Sequence, residues 1–110
     1  DRLVYISAGD VRTNKLITET FSFAPQRWDE RVFRIQLVGI KNSVRIHSAQ
    51  VIFHDGEIRD LRELTGSLRE GRRIGAFVEG RPVRQVRINA ESDSLIGARG
   101  QFRLEFGVAR

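Results

Sequence analysis

The chain of 110 residues predicts an all-β domain, a single-domain antiparallel β-sandwich of jelly-roll or Greek-key type with at most one short helix. Three observations carry this. Phe102, Leu104, Phe106 and Val108 alternate with Gln101, Arg103, Glu105 and Gly107, the period of two of a strand with one face in a core. Similar alternation recurs in about eight short runs separated by turn residues. Asp55-Gly56 sits between two apolar runs, where it marks a hairpin. Residues 1–110 read as one domain, and a small closed barrel is the alternative architecture.

Leu3 to Ala8 is the first expected strand, punctuated by Gly9-Asp10 and Thr13-Asn14. Leu16 to Phe23 is the second, with Phe21 and Phe23 on one face. Ala24 to Asp29 is a loop, because Pro25 lacks the donor a ladder needs. In Arg31 to Gly39, Phe33, Ile35 and Leu37 are expected inward and Arg34 and Gln36 outward, and Lys41-Asn42-Ser43 then turns the chain. Ser43 to Phe53 changes phase. Val44 and Ile46 are even, whereas Ala49, Val51 and Phe53 are odd, so a bulge or corner near His47-Ser48 is required to bury both sets.

A two-residue hairpin at Asp55-Gly56 places Phe53 opposite Ile58, both facing the core. Ile58, Leu61 and Leu64 are spaced by three, which suits a short helix or an irregular strand, and Thr65 to Arg72 reads as a loop. Arg73 to Glu79 is a strand, Gly80-Arg81-Pro82 a turn, and Val83 to Ala90 a further strand with Val86, Ile88 and Ala90 inward. Glu91 to Gly100 is a polar connection containing Leu95-Ile96. The alternating run at 101–108 closes the chain.

Composition bounds function more than it names it. The hydrophobic fraction of 40% suits a folded core, and no apolar run is long enough to span a bilayer as a helix. The absence of cysteine excludes disulfides, thiolate metal sites and a cysteine nucleophile. The absence of Met marks Asp1 as a processed or trimmed end, after a removed signal peptide or at a cut within a longer chain.

His47, His54, Asp55 and Glu57 are the only metal-ligand candidates, and two imidazoles without a third nitrogen or sulfur ligand read as strand and turn residues. Ser48, His47 and Asp55 form a triad only on paper, since no nucleophile elbow surrounds any serine. Neither Asp29-Glu30 nor Asp60 with Glu63 shows a reason to pair across a cleft. Gly97-Ala98-Arg99-Gly100 is followed by no helix and so does not read as a phosphate loop. The expectation is no catalytic residue, no metal and no cofactor.

Charge is the remaining lead. Nineteen basic residues against fourteen acidic give +5, and all the basic residues except Lys15 and Lys41 are arginines. Arginine favours bidentate contact with phosphate and carboxylate, although a solvated face is the simpler account of a modest net charge. Arg72, Arg73, Arg81, Arg84 and Arg87 are the candidate anion-binding set, with Arg34 and Arg103 also expected outward. The phenylalanines fall inward, which disfavours single-stranded nucleic acid. Trp28, the lone tryptophan, reads as a plug at the end of the sandwich or as a sugar-stacking platform.

The order Val32-Phe33-Arg34-Ile35, Val44-Arg45-Ile46-His47, Val51-Ile52-Phe53-His54-Asp55-Gly56, a Gly-Arg-Arg step and Val83-Arg84-Gln85-Val86-Arg87-Ile88 resembles a loose group of small bacterial proteins exported to the periplasm. The resemblance covers residues 30–108. It implies a β-sandwich, a periplasmic or secreted location and no assigned enzyme activity. The leading expectation is therefore a non-catalytic binding or interaction module of the bacterial cell envelope. Its partner would be an anionic polysaccharide, a lipid headgroup or an acidic protein surface held by the arginines. The alternative is a carbohydrate-binding, lectin-like module using Trp28.

Overall fold

A computed structural model of the chain describes residues 2–93 and 98–110. Leu95-Ile96 and Gly97, singled out above, lie outside the described residues, as does Asp1. The strands are β1 (Leu3–Arg12), β2 (Glu19–Phe23), β3 (Arg31–Lys41), β4 (Ser43–Phe53), β5 (Ile58–Asp60), β6 (Gly66–Arg69), β7 (Arg73–Ser92) and β8 (Gln101–Ala109). A single 3-10 turn at Arg62–Leu64 is the only helical piece among the described residues. Among the described residues no helix is long and apolar enough to cross a membrane.

All pairings are antiparallel and follow the order β1-β8-β3-β7-β4-β5, with β2 added to β7 and β6 to β4. β7 is 20 residues long and belongs to two sheets. Its first half pairs with β3, alongside β8 and β1, and its second half lies between β2 and β4. The sheet path is open, so the closed-barrel alternative does not hold. The two halves share one core, in which Phe102 of β8 meets the rings of Phe21 and Phe23 of β2 edge-on.

The segment read as a turn at Gly80-Arg81-Pro82 instead continues the strand. Glu79 and Gly80 both take positive φ, 62° and 68°, which bends the chain without reversing it. Gly80 is required twice over, since a Cβ there would also lie 2.5 Å from the Phe33 ring. Pro82 takes the last pairing position against β3, opposite Arg31.

β4 has the bulge its phase change demands. Its register against β7 slips between Ile46 and Ser48, and Val44, Ile46, Ala49, Val51 and Phe53 are all buried. The hairpin after it differs from the two-residue expectation. Phe53 N–H donates to Glu57 O, Gly56 takes φ 93°, and Ile52 rather than Phe53 faces Ile58. A three-residue loop with a bulged glycine turns Ile58 outward, 57% exposed. Leu61 and Leu64 are buried by the 3-10 turn, so the spacing of three reads partly as strand and partly as helix. The expected loop after it contains β6.

In β3 a register shift between Val32 and Arg34 moves Val32 into the core and leaves Phe33 half-buried. Gln36, expected outward, is 6% exposed and donates from Nε2 to Glu105 Oε1 at 2.7 Å. Its strand is central, and arginines on neighbouring strands converge on Glu105 above it.

Candidate functional site

The five candidate arginines occupy separate places. They lie in and just before one continuous strand, so Arg73 and Arg84 are roughly 36 Å apart measured along β7 at strand rise. Arg72 is exposed in the turn before the strand. Arg73 pairs with Glu105 at 3.5 Å across the first sheet. Arg81 donates to Asp55 Oδ2 at 2.7 Å and to Glu57 Oε1 at 2.8 Å. Its guanidinium also lies 3.7 Å from the Phe53 ring centroid. Arg84 falls where the register slips between Gln85 and Val83, and it is exposed. Arg87 is exposed and its Nε donates to Gln85 at 3.3 Å. Arg84 and Arg87 therefore form the only neighbouring pair in the set that has no carboxylate partner among the described residues.

The structure gathers a different group at the end of the molecule that carries the β4–β5 hairpin. Pro25 keeps Ala24–Glu30 out of the ladder, and Glu30 N–H donates back to Arg27 O, closing a turn with Trp28 and Asp29 at its tip. Trp28 is consequently 73% exposed. This overturns the plug reading, since the end of the core is closed by Phe53 beneath two arginines instead. The indole meets the His54 ring edge-on, with centroids 6.0 Å apart. His54 is anchored by its own backbone N–H, which donates to Pro82 O at 3.3 Å.

Beside His54, Asp55 accepts from Glu57 N–H, and that bond with the Arg81 guanidinium holds its carboxyl below the usual aspartate value. Arg59 forks onto Glu79 at 2.7 and 3.3 Å and holds that carboxyl low as well. The result is an exposed indole and imidazole next to an ordered set of charged donors and acceptors. Trp28, His54, Asp55, Glu57 and Arg81 are legible in sequence, and Glu79 as an acid among the arginines, whereas the pairing of Arg59 with Glu79 is not. Arg59 in β5 and Glu79 in β7 are 20 residues apart, and no local pattern pairs them.

The remaining candidates are dispersed. His47 is bound to Glu91, away from His54. Ser48 Oγ accepts from Asn89 rather than from an imidazole. Asp29 pairs with Arg27, Glu30 with Arg110, and Asp60 Oδ1 accepts from Gln50. Arg103 forks onto Asp10, and Arg34 lies over the Phe77 ring at 5.5 Å.

No protein-family model matches the chain, and no curated protein matches it significantly. Among solved structures, the chain is similar to that of the infectious bursal disease virus Gx strain, with 13% identity and a TM-score of 0.43. The likeness covers 96% of this chain and 30% of that one, so this chain spans less than a third of the viral chain's length.

Proposed function

We propose that the protein is a non-catalytic binding module that recognises a carbohydrate at the end of the molecule built around Trp28. The exposure of that indole is the observation that carries the reading. A large aromatic surface left in water at a turn tip, braced by His54, offers its electron-rich face to the C–H groups of a sugar ring. Asp55, Glu57, Arg59, Glu79 and Arg81 sit in and beside the neighbouring hairpin, already ordered by one another. Ordered donors and acceptors bind hydroxyls without a large entropy loss.

Tryptophan emission during titration with a panel of neutral and acidic oligosaccharides tests the reading. A saturable shift that Trp28→Ala abolishes supports it. Emission unchanged by every glycan sinks it.

A second reading, an anionic partner held by arginines, is favoured at Arg84 and Arg87 alone. Both are exposed, and neither is neutralised by a carboxylate among the described residues. The double change Arg84→Ser with Arg87→Ser is expected to lower the salt concentration of elution from heparin. An unchanged elution position would discard this reading.

A further inference from the structure

A cavity of about 190 Å³ opens between β1, the end of β8 and the loop 24–30, on the side of that loop lined by Ala24 to Arg27 and Glu30. Its floor is the inner face of the first sheet, formed by Ile6, Ala8, Phe106 and Val108. β2 ends at Phe23, and the chain turns aside at Pro25, so among the described residues no strand of the second sheet covers this patch. Ile6 and Ala8 point at the core yet stay half-exposed for that reason. The mouth is polar and carries Arg27, Glu30 and Arg110.

Glu30 is largely withdrawn from water, with 16% of its side chain exposed, and is engaged by Arg110 Nη2 at 3.2 Å. Among the described residues Arg27 pairs only with Asp29, at 3.5 Å, and both side chains are well exposed. A pair of that kind contributes little, so Arg27 turns to another anion at small cost. The mouth therefore holds one mutually neutralised pair and one cation available to a ligand.

We propose that this cavity is a binding site for a short-to-medium-chain monocarboxylate, with its alkyl tail on the Ile6, Ala8, Phe106 and Val108 floor and its carboxylate on Arg27. Three features select that class. The space exceeds the cavity of about 150 Å³ that takes up benzene in a dry apolar interior. The inward side chains of the floor, Ile6, Ala8, Phe106 and Val108, are apolar, with Ser7 and Gln26 beside them in the lining. The single redirectable charge at the rim is positive, which selects an anionic head over a neutral or cationic one. The site is separate from the carbohydrate reading, because Trp28 is not among its lining residues.

Calorimetric titration with butyrate, hexanoate and octanoate tests the proposal, with octanol as the uncharged control. Affinity should rise about fourfold per added methylene, and octanoate should bind more tightly than octanol. Ala8→Phe should fill the space and abolish binding of both. Arg27→Gln alters an exposed loop residue and leaves the fold intact, so it keeps the test decisive if the core variant is unstable. It should bring octanoate down to the affinity of octanol. The proposal is overturned if octanoate shows no saturable binding to the wild-type protein. Equal affinity for octanoate and octanol, or octanoate binding undiminished by Arg27→Gln, would overturn it as well.

Discussion

At Gly80 and at Ser92 a single atom decides a great deal. At Gly80 a side chain faces both a left-handed backbone and the Phe33 ring 2.5 Å away. Gly80→Ala should lower stability by about 1–3 kcal/mol, read as a lower urea midpoint at unchanged slope. Ser92 is buried in a polar knot that ties the ends of β1, β7 and β8. Its Oγ lies 2.7 Å from Thr13 Oγ1 and accepts from Gly100 N–H at 3.0 Å, while Thr13 Oγ1 donates to Gly100 O. Ser92→Ala leaves that N–H and the threonine hydroxyl short of a buried partner and should cost about 1–3 kcal/mol. Thr20→Ala, on an exposed ladder with Asn89, should cost well under half of that in the same urea series. Neither Gly80 nor Ser92 declared its role in sequence. One looked like turn punctuation and the other like part of a polar connection, because the decisive neighbours are distant in the chain.

At the scale of elements, legibility followed how local the cause is. β8 and the second half of β7 show plain alternation, and their inward residues are the buried ones. The bulge at His47 was legible because two apolar sets of opposite phase cannot share a face of a regular strand. The β4–β5 register was off by one because Asp-Gly serves both two- and three-residue loops, and only the Phe53–Glu57 bond distinguishes them. The exposed Trp28 was half-legible. Pro25 predicted the loop, but the lid over the core end is Phe53 capped by Arg59 and Arg81, which no local pattern announces. That lid makes Arg81 a packing residue as much as a charge. Arg81→Ala should lower stability, and Arg81→Lys should recover only part of the loss, since an ammonium cannot lie flat on the ring while forking onto two carboxylates. Thermal unfolding of the two variants beside the wild type checks the order.

For the whole molecule, acid is the informative stress. The Asp93 carboxylate accepts from Ser67 and Ser43 and faces Arg45, and these hold its pKa below the ordinary aspartate value. Its proton therefore binds less readily in the folded chain than in the unfolded one. The stabilisation it supplies is complete above the unfolded value and disappears as pH falls through the lower folded value. Asp55 and Glu79 carry shifts of the same sign but are water-exposed, so their share is small. Urea midpoints measured from neutral pH to about pH 3 should fall. Asp93→Asn should start lower at neutral pH and lose less on acidification. A variant that tracks the wild type in parallel would show that other carboxylates set the acid limit.

Because β7 serves both sheets, neither sheet has a boundary at which the chain can be cut without removing a strand from the other. The two layers form one cooperative unit, and folding must wait for pairings between segments far apart in sequence, a topology associated with slow folding. A circular permutation that opens the backbone between Glu79 and Gly80 would divide that shared strand into two termini, one for each layer. Such a chain is expected to keep a single transition, at a lower midpoint, because the two layers still bury one common core.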